Sequence, residues 1–311
     1  MYLAAVPYNS FYFEWEIALE EWIQAVFPAT LIEILQNLSL FGEELLLIVV
    51  MGFLYWGYNK EIGKFVGVNM LVVGVLNPMI KNVFIRRRPY FESEKIDLLR
   101  LIDTDADKYD IVAQGYSFPS GHSSSSATVY GSVARSFKKR IFTILAILLP
   151  LCVGISRIVV GAHYPTDVLC GWALGIFVIF FVPWLQQKIH NDTVFYLVLL
   201  IATLPGIFYC SSSDYFSGYG MLLGYCLADP FERRFVNFEN TKSIPRCILR
   251  VIGGGAIYFA LNTLLKLPFS ADFLNSATPA AFAVRTIRYA IVVFVVIALY
   301  PALFRRDKKD K

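Results

Sequence analysis

Apolar residues run along this chain in blocks of roughly 17–25, the length that crosses a bilayer core, separated by short polar seams. Candidate spans fall at 43–58, 64–84, 120–136, 141–160, 166–186, 193–210, 216–229, 249–266 and 285–304. The block from 120, "SGHSSSSATVYGSVARSF", is rich in serine and small residues and weak by hydropathy. Such a helix suits the interior of a bundle, where small side chains let backbones approach closely. Residues 11–37 carry acidic positions and Pro28, and read as amphipathic and interfacial, with one more span as the other reading. The pattern predicts an all-α fold, a polytopic transmembrane helix bundle. It divides into an amphipathic N-terminal segment over 1–42, a core over 43–190, and additional membrane helices with a basic cytoplasmic tail over 191–311.

Composition strengthens this picture. Of 311 residues 57% are hydrophobic, and mean hydropathy is +0.56. A soluble chain of this length would gather those residues into cores between polar loops. The net charge of +4 implies no nucleic-acid partner, because the basic residues sit at the ends of apolar blocks. Five scattered cysteines (Cys152, Cys170, Cys210, Cys226, Cys247) read as buried small hydrophobes rather than a disulfide framework or zinc site. The N-terminus carries Glu14, Glu16, Glu20 and Glu21 and no basic start, unlike a cleavable signal peptide.

Lysine and arginine counts orient the spans. "NKEIGK", "RSFKKR" (135–140), "FERRFVNFENTKSIPRCILR" (231–250), the tail "RRDKKDK" and the weaker "QQKIHND" all fall on one side if the spans alternate. That side is the cytoplasmic one. The opposite loops are 85–119, 156–167, 211–216 and 267–284; only Arg86, Arg87 and Arg88 break the rule.

Three polar patches then share the outer face: "KNVFIRRRP" at the end of the second span, "FPSGHSS" opening the third, and "SRIVVGAHYPTD" between the fourth and fifth. One pocket can therefore collect Lys81, Arg88, Ser120, His122, Arg157, His163 and Asp167. Lys81, Arg88 and Arg157 are fixed cations, and arginine forks suit phosphate oxygens. Ser120 can cap the following helix, whose N-terminal amides favour an anion, and Gly121 allows close backbone approach. Phosphate is the natural ligand of such a set. Pro165 suits a helix's first turn, which puts Asp167 just inside that helix and His163 just before it. The carboxylate can then reach one imidazole nitrogen and leave the other free to attack phosphorus, with His122 as proton donor.

These patches resemble the motifs of the type 2 phosphatidic acid phosphatase family, which includes bacterial phosphatidylglycerophosphate and undecaprenyl-diphosphate phosphatases and, more distantly, vanadium haloperoxidases. Lys81 to Pro89 matches Lys, six residues, Arg-Pro; Pro119 to His122 matches Pro-Ser-Gly-His. Ser156 to Asp167 matches Ser-Arg, five residues, His, three residues, Asp. The resemblance covers roughly 45–190 and has no substitution in the motifs. It implies a six-helix phosphatase core, a phosphohistidine at His163, and His122 as general acid. Lys81, Arg88, Ser120, Gly121 and Arg157 would bind phosphate, and the family implies neither metal nor cofactor. The implied substrate is a lipid phosphomonoester or diphosphate at the extracytoplasmic side of a membrane, most simply a bacterial plasma membrane. Alternatives are a lipid phosphotransferase using the same intermediate, and an inert anion-binding transporter or scaffold.

Plainer readings cover the remaining features. Arg86 and Arg87, which the motif leaves open, read as snorkelling residues at a helix end. His190 reads as structural, and Ser123 to Ser126 as packing residues. "DTDADKYD" (103–110) lacks the glycine and final acid of a calcium loop and reads as a solvated acidic loop. "FERRFVNFEN" reads as an interfacial anchor. Oligomeric state is not legible.

Overall fold

The computed structural model describes residues 8–101 and 106–304. The first two aspartates of the acidic loop, Asp103 and Asp105, and the basic tail from 305 lie outside the described residues. The fold is all-helical: α1 (Glu14–Val26), α2 (Ala29–Asn37), α3 (Glu44–Gly52), α4 (Lys60–Phe84), α5 (Ile111–Gln114), α6 (Gly121–Phe137), α7 (Arg140–Val159), α8 (Pro165–Lys188), α9 (Asp192–Thr203), α10 (Ser213–Phe231), α11 (Ile244–Leu264), α12 (Ala271–Asn275) and α13 (Pro279–Phe294). Every apolar block expected from sequence overlaps one of these helices, but the blocks at 43–58, 120–136, 193–210 and 216–229 are too short or too polar to pass as full spans. Among the described residues, α4, α7, α8, α11 and the run Pro279–Leu303 are long and apolar enough to cross a membrane. The first two helices pass that test only as a pair, with Glu14–Val26 and Ala29–Gly42 bent by 118°.

The helices gather into two compact units, one of Met1–Leu46 with Leu76–Ile179, the other of Leu47–Val75 with Phe180–Lys311. In the first unit the serine-rich α6 is buried: Ser123, Ser124, Ser126, Thr128 and Ser132 are all 0% exposed. Their hydroxyls cost little because they return to the helix's own backbone, Ser124 to the Gly121 carbonyl and Thr128 to that of Ser124. Two glycines of α8 allow the close approach. A Cβ at Gly171 would lie 2.7 Å from the Ser120 carbonyl oxygen, and one at Gly175 would lie 2.8 Å from that of Ser124. By contrast α7 leaves Ile141, Ile147 and Leu148 exposed, as a lipid-facing helix does.

In the second unit Gly220 and Gly224 seat α10 against the backbone of α13 at Thr286 and Ala290. Two readings change here. Glu232, in the segment taken as an interfacial anchor, is fully buried, 2.9 Å from Lys60 Nζ, and its neighbour Asp229 is 2.8 Å from Lys64 Nζ. The start of the segment is held by this buried ion network, while Arg233, Arg234 and Phe235 are exposed as a surface anchor would be. Among the cysteines Cys210, Cys226 and Cys247 are buried and Cys152 half-buried, but Cys170 is exposed on the outer face of α8. His190 is exposed between α8 and α9.

Candidate active site

The site is built within the first unit, where three chain reversals meet. Helix α4 ends at Phe84, and Ile85 takes a left-handed φ of 45°. Pro89 then disfavours helix at Arg88, which is extended at φ −80°, ψ 158°. Side chains alternate along extended backbone, so Arg86 and Arg88 turn inward, each 1% exposed. Arg87 turns outward to Glu92 at 2.9 Å. Arg86 is thus no snorkelling residue: it is buried and bonded to the Asp167 and Glu16 carboxylates.

The third patch closes the other side. After α7, Gly161 adopts φ +68°, where a Cβ would also lie 2.5 Å from the Asp97 carbonyl oxygen. The chain turns sharply enough for the backbone amide of His163 to donate to the Arg157 carbonyl at 3.2 Å. Pro165 opens α8 and places Asp167 in its first turn. Asp167 Oδ2 accepts from the Tyr164 amide at 3.0 Å and lies 3.4 Å from His163 Nδ1. Its Oδ1 accepts from Arg86 Nη1 at 2.7 Å. The backbone amide of Ser120 donates to the Asp167 carbonyl at 3.0 Å, which pins the start of α6 to the start of α8.

Of the expected residues, Asp167 and Arg88 contact the His163 imidazole. Arg88 is held by backbone carbonyls, with Nη2 to Gln114 and Nη1 to Ala162 both at 2.7 Å, and its Nη1 is 3.4 Å from His163 Nε2. Lys81 Nζ donates to the Tyr116 carbonyl at 2.8 Å. Arg157 is 2% exposed, and its Nε has no hydrogen-bond partner among the described residues. Ser120 caps α6, its Oγ accepting from the Ser123 hydroxyl at 2.9 Å. Gly121 behaves differently from the packing glycines: a Cβ there would meet only Asn77 Oδ1, at an ordinary 3.7 Å. The protein has room for a side chain at 121.

Burial and the charges of Arg88, Lys81 and Arg157 hold the His163 imidazole well below its ordinary pKa, so it is neutral at neutral pH. His122 is partly open, with Nε2 3.5 Å from Glu43 Oε1, and Glu43 is held by Arg100 at 2.8 Å. Arg86, Glu16 and Glu43 escaped the sequence reading. The alternation across "RRRP" was a usable signal for Arg86; nothing local marks Glu16 or Glu43.

Fold and site together define an all-helical integral-membrane protein with a cation-lined pocket around a carboxylate-backed imidazole. The PAP2 superfamily profile matches residues 63–191, which hold all of these motif residues, and the profile described as PAP2 superfamily phosphatase, transmembrane extension, matches 216–310. The chain is 31% identical over 153 residues to an undecaprenyl-diphosphatase of Sulfolobus acidocaldarius, covering 49% of this chain and 69% of that one. It is 39% identical over 85 residues to phosphatidylglycerophosphatase B of Bacillus subtilis, covering 24% of this chain and 42% of that one. A crystal structure of a transmembrane PAP2-type phosphatidylglycerolphosphate phosphatase from Bacillus subtilis is 26% identical, with a TM-score of 0.44 over 56% of this chain and 85% of that one. The chain belongs to the PAP2 superfamily.

Proposed function

We propose that this protein is a membrane lipid phosphatase that hydrolyses a lipid phosphomonoester or diphosphate through a phosphohistidine at His163. The observation that carries the reading is the two-sided setting of that imidazole. Nδ1 lies 3.4 Å from the Asp167 carboxylate, and Nε2 lies 3.4 Å from Arg88 Nη1 on the cationic side. One nitrogen is oriented and the other is aimed at the place a phosphoryl group would take. Nucleophilic attack needs the neutral imidazole, which burial and the surrounding cations favour.

In the first step the Nε2 lone pair forms the P–N bond while the P–O bond to the lipid breaks, and His122 protonates the departing alkoxide. In the second, His122 takes a proton from water, the hydroxide attacks phosphorus, the P–N bond breaks, and phosphate leaves. Lys81, Arg88 and Arg157, with the Ser120 hydroxyl and the Gly121 amide at the start of α6, stabilise charge on the equatorial oxygens. The buried, unpartnered Nε of Arg157 suits a phosphate oxygen. These fixed charges meet the electrostatic demand, so the reading invokes no metal or cofactor.

A lipid substrate is supported by the membrane helices and by the names of the relatives, among them a lipid A 1-phosphatase of Rhizobium etli. The basic loops support an extracytoplasmic site, in a plasma membrane of bacterial type. The test is phosphate release from a panel of lipid phosphates by purified protein in detergent, with chelator present. Release that vanadate inhibits and His163→Ala abolishes is expected. Undiminished release by His163→Ala overturns the nucleophile. Stoichiometric phosphorylated alcohol in place of phosphate makes the protein a transferase.

A further inference from the structure

Among the described residues of the first unit, the motifs leave one buried cation unused. Arg86 is 1% exposed and spends its donors on four partners: Nε on the Phe11 carbonyl at 2.7 Å, Nη1 on Thr166 Oγ1 at 2.8 Å and Asp167 Oδ1 at 2.7 Å, Nη2 on Glu16 Oε2 at 2.9 Å. Its guanidinium lies between the rings of Tyr164 and Phe11, 3.8 and 4.7 Å from their centroids. Glu16, 0% exposed, is as fully engaged. Its Oε1 accepts from the Thr166 amide at 3.0 Å and hydroxyl at 2.6 Å, and its Oε2 from the Phe13 amide at 3.0 Å.

We propose that Arg86, clamped by Glu16, is a positioning residue for Asp167, and that helix α1 thereby forms part of the catalytic apparatus. The proposal rests on the reading of His163 as nucleophile. Its physical basis is the division of labour on the Asp167 carboxylate. Oδ2 faces His163 and the Tyr164 amide, while Oδ1 has Arg86 as its side-chain partner among the described residues. A carboxylate buried at 0% exposure keeps its charge and its rotamer only if that second oxygen is also satisfied. Arg86 supplies both the charge and the planar fork, and Glu16 fixes the fork from the far side while capping the first turn of α8 through Thr166. The guanidinium thus acts on Asp167 from the side opposite His163. Supporting partners of this kind affect a site through the orientation of the group that reacts.

The test compares Arg86→Gln, Glu16→Gln and Asp167→Asn, singly and combined, with Glu21→Gln as control. Glu21 lies on α1 too, but its carboxylate accepts from the Ser93 hydroxyl at 2.6 Å and from Lys95 at 3.3 Å, away from Arg86 and Asp167. Arg86→Gln is expected to lower kcat about 10–100-fold with KM and vanadate inhibition nearly unchanged. Arg86→Lys should recover part of the loss, and Glu16→Gln should show a smaller loss of the same kind. In the decisive comparison, Arg86→Gln combined with Asp167→Asn should be no slower than Asp167→Asn alone, because one acts through the other. Glu21→Gln should keep its kcat. Losses that multiply, a raised KM in place of a lowered kcat, or full activity in Glu16→Gln each overturn the proposal. If Arg86→Gln fails to fold, Glu16→Gln combined with Asp167→Asn decides on the same criteria. Wild-type turnover by Asp167→Asn alone would instead overturn the underlying site reading.

Discussion

His122 Nε2 lies 3.5 Å from Oε1 of Glu43, a carboxylate supplied from just ahead of α3. Arg100 holds that carboxylate at 2.8 Å, so it is fixed rather than drifting in solvent. The proton donor proposed for the leaving lipid therefore has a carboxylate neighbour of its own, as His163 has Asp167.

Removing that neighbour should weaken the donor. Burial and the Arg157 charge push the His122 pKa down to about 4 and the Glu43 carboxylate opposes them, so Glu43→Gln makes His122 give up its proton at lower pH still. The alkaline limb of the rate profile should move to lower pH, with kcat reduced about tenfold near neutrality. His122→Ala should lose the limb altogether. An unmoved limb in both variants would remove His122 from the acid role.

The proposed nucleophile, His163, makes the opposite limb. Burial and three cations keep the His163 pKa well below its ordinary value, so the acid limb of kcat/KM should lie below about pH 6.5. Arg88→Gln removes a positive charge 3.4 Å from Nε2, which makes protonation easier and raises the pKa. The acid limb of that variant should move to higher pH, alongside a raised KM. A limb that stays put or moves down would contradict the electrostatic account.

The two glycines near Ser120 should respond differently. A Cβ at Gly171 would press within 2.7 Å of the Ser120 carbonyl oxygen, in backbone that cannot rotate away. Gly171→Ala should lower stability by about 1–3 kcal/mol, read as an earlier thermal transition in detergent. At Gly121 the protein leaves room, so Gly121→Ala should melt near wild type and lose activity through a raised KM. Equal stability losses would show that both glycines serve packing.

The second unit offers a stability test away from the site. Asp229, 0% exposed, pairs with Lys64 at 2.8 Å and Arg233 at 2.8 Å and accepts from the Tyr196 hydroxyl at 2.8 Å. Asp229→Ala leaves Lys64 buried without that partner and should cost about 3–5 kcal/mol. Asp229→Asn should cost less, because the hydrogen bond from Tyr196 survives. A melting temperature unchanged in Asp229→Ala would mean the network carries no net stability.

Much of this was legible in the chain. Apolar block length located the helices because lipid offers no partner for backbone amides, so each block must satisfy its own. The serine-rich α6 was assigned to the interior for a reason the fold bears out: its hydroxyls bond its own carbonyls and its small side chains admit α8. Pro165 and Ser120 act locally, on the turn that contains them, and so were readable as a helix start and a cap.

Other features depend on which segments pack together. Arg86 looked like a snorkelling side chain because its partners are distant in sequence: Glu16 lies in α1 and Asp167 in α8. Glu43 and His122 are likewise 79 positions apart in the sequence. Spacing within a motif reports helical or extended periodicity, but it carries no information on which distant carboxylate will meet a buried guanidinium. By itself the sequence determined the helices, their membrane character and the residue types gathered for phosphate. Only the tertiary structure decided which buried charges neutralise one another, because burying an ion requires a partner that folding alone can bring within reach.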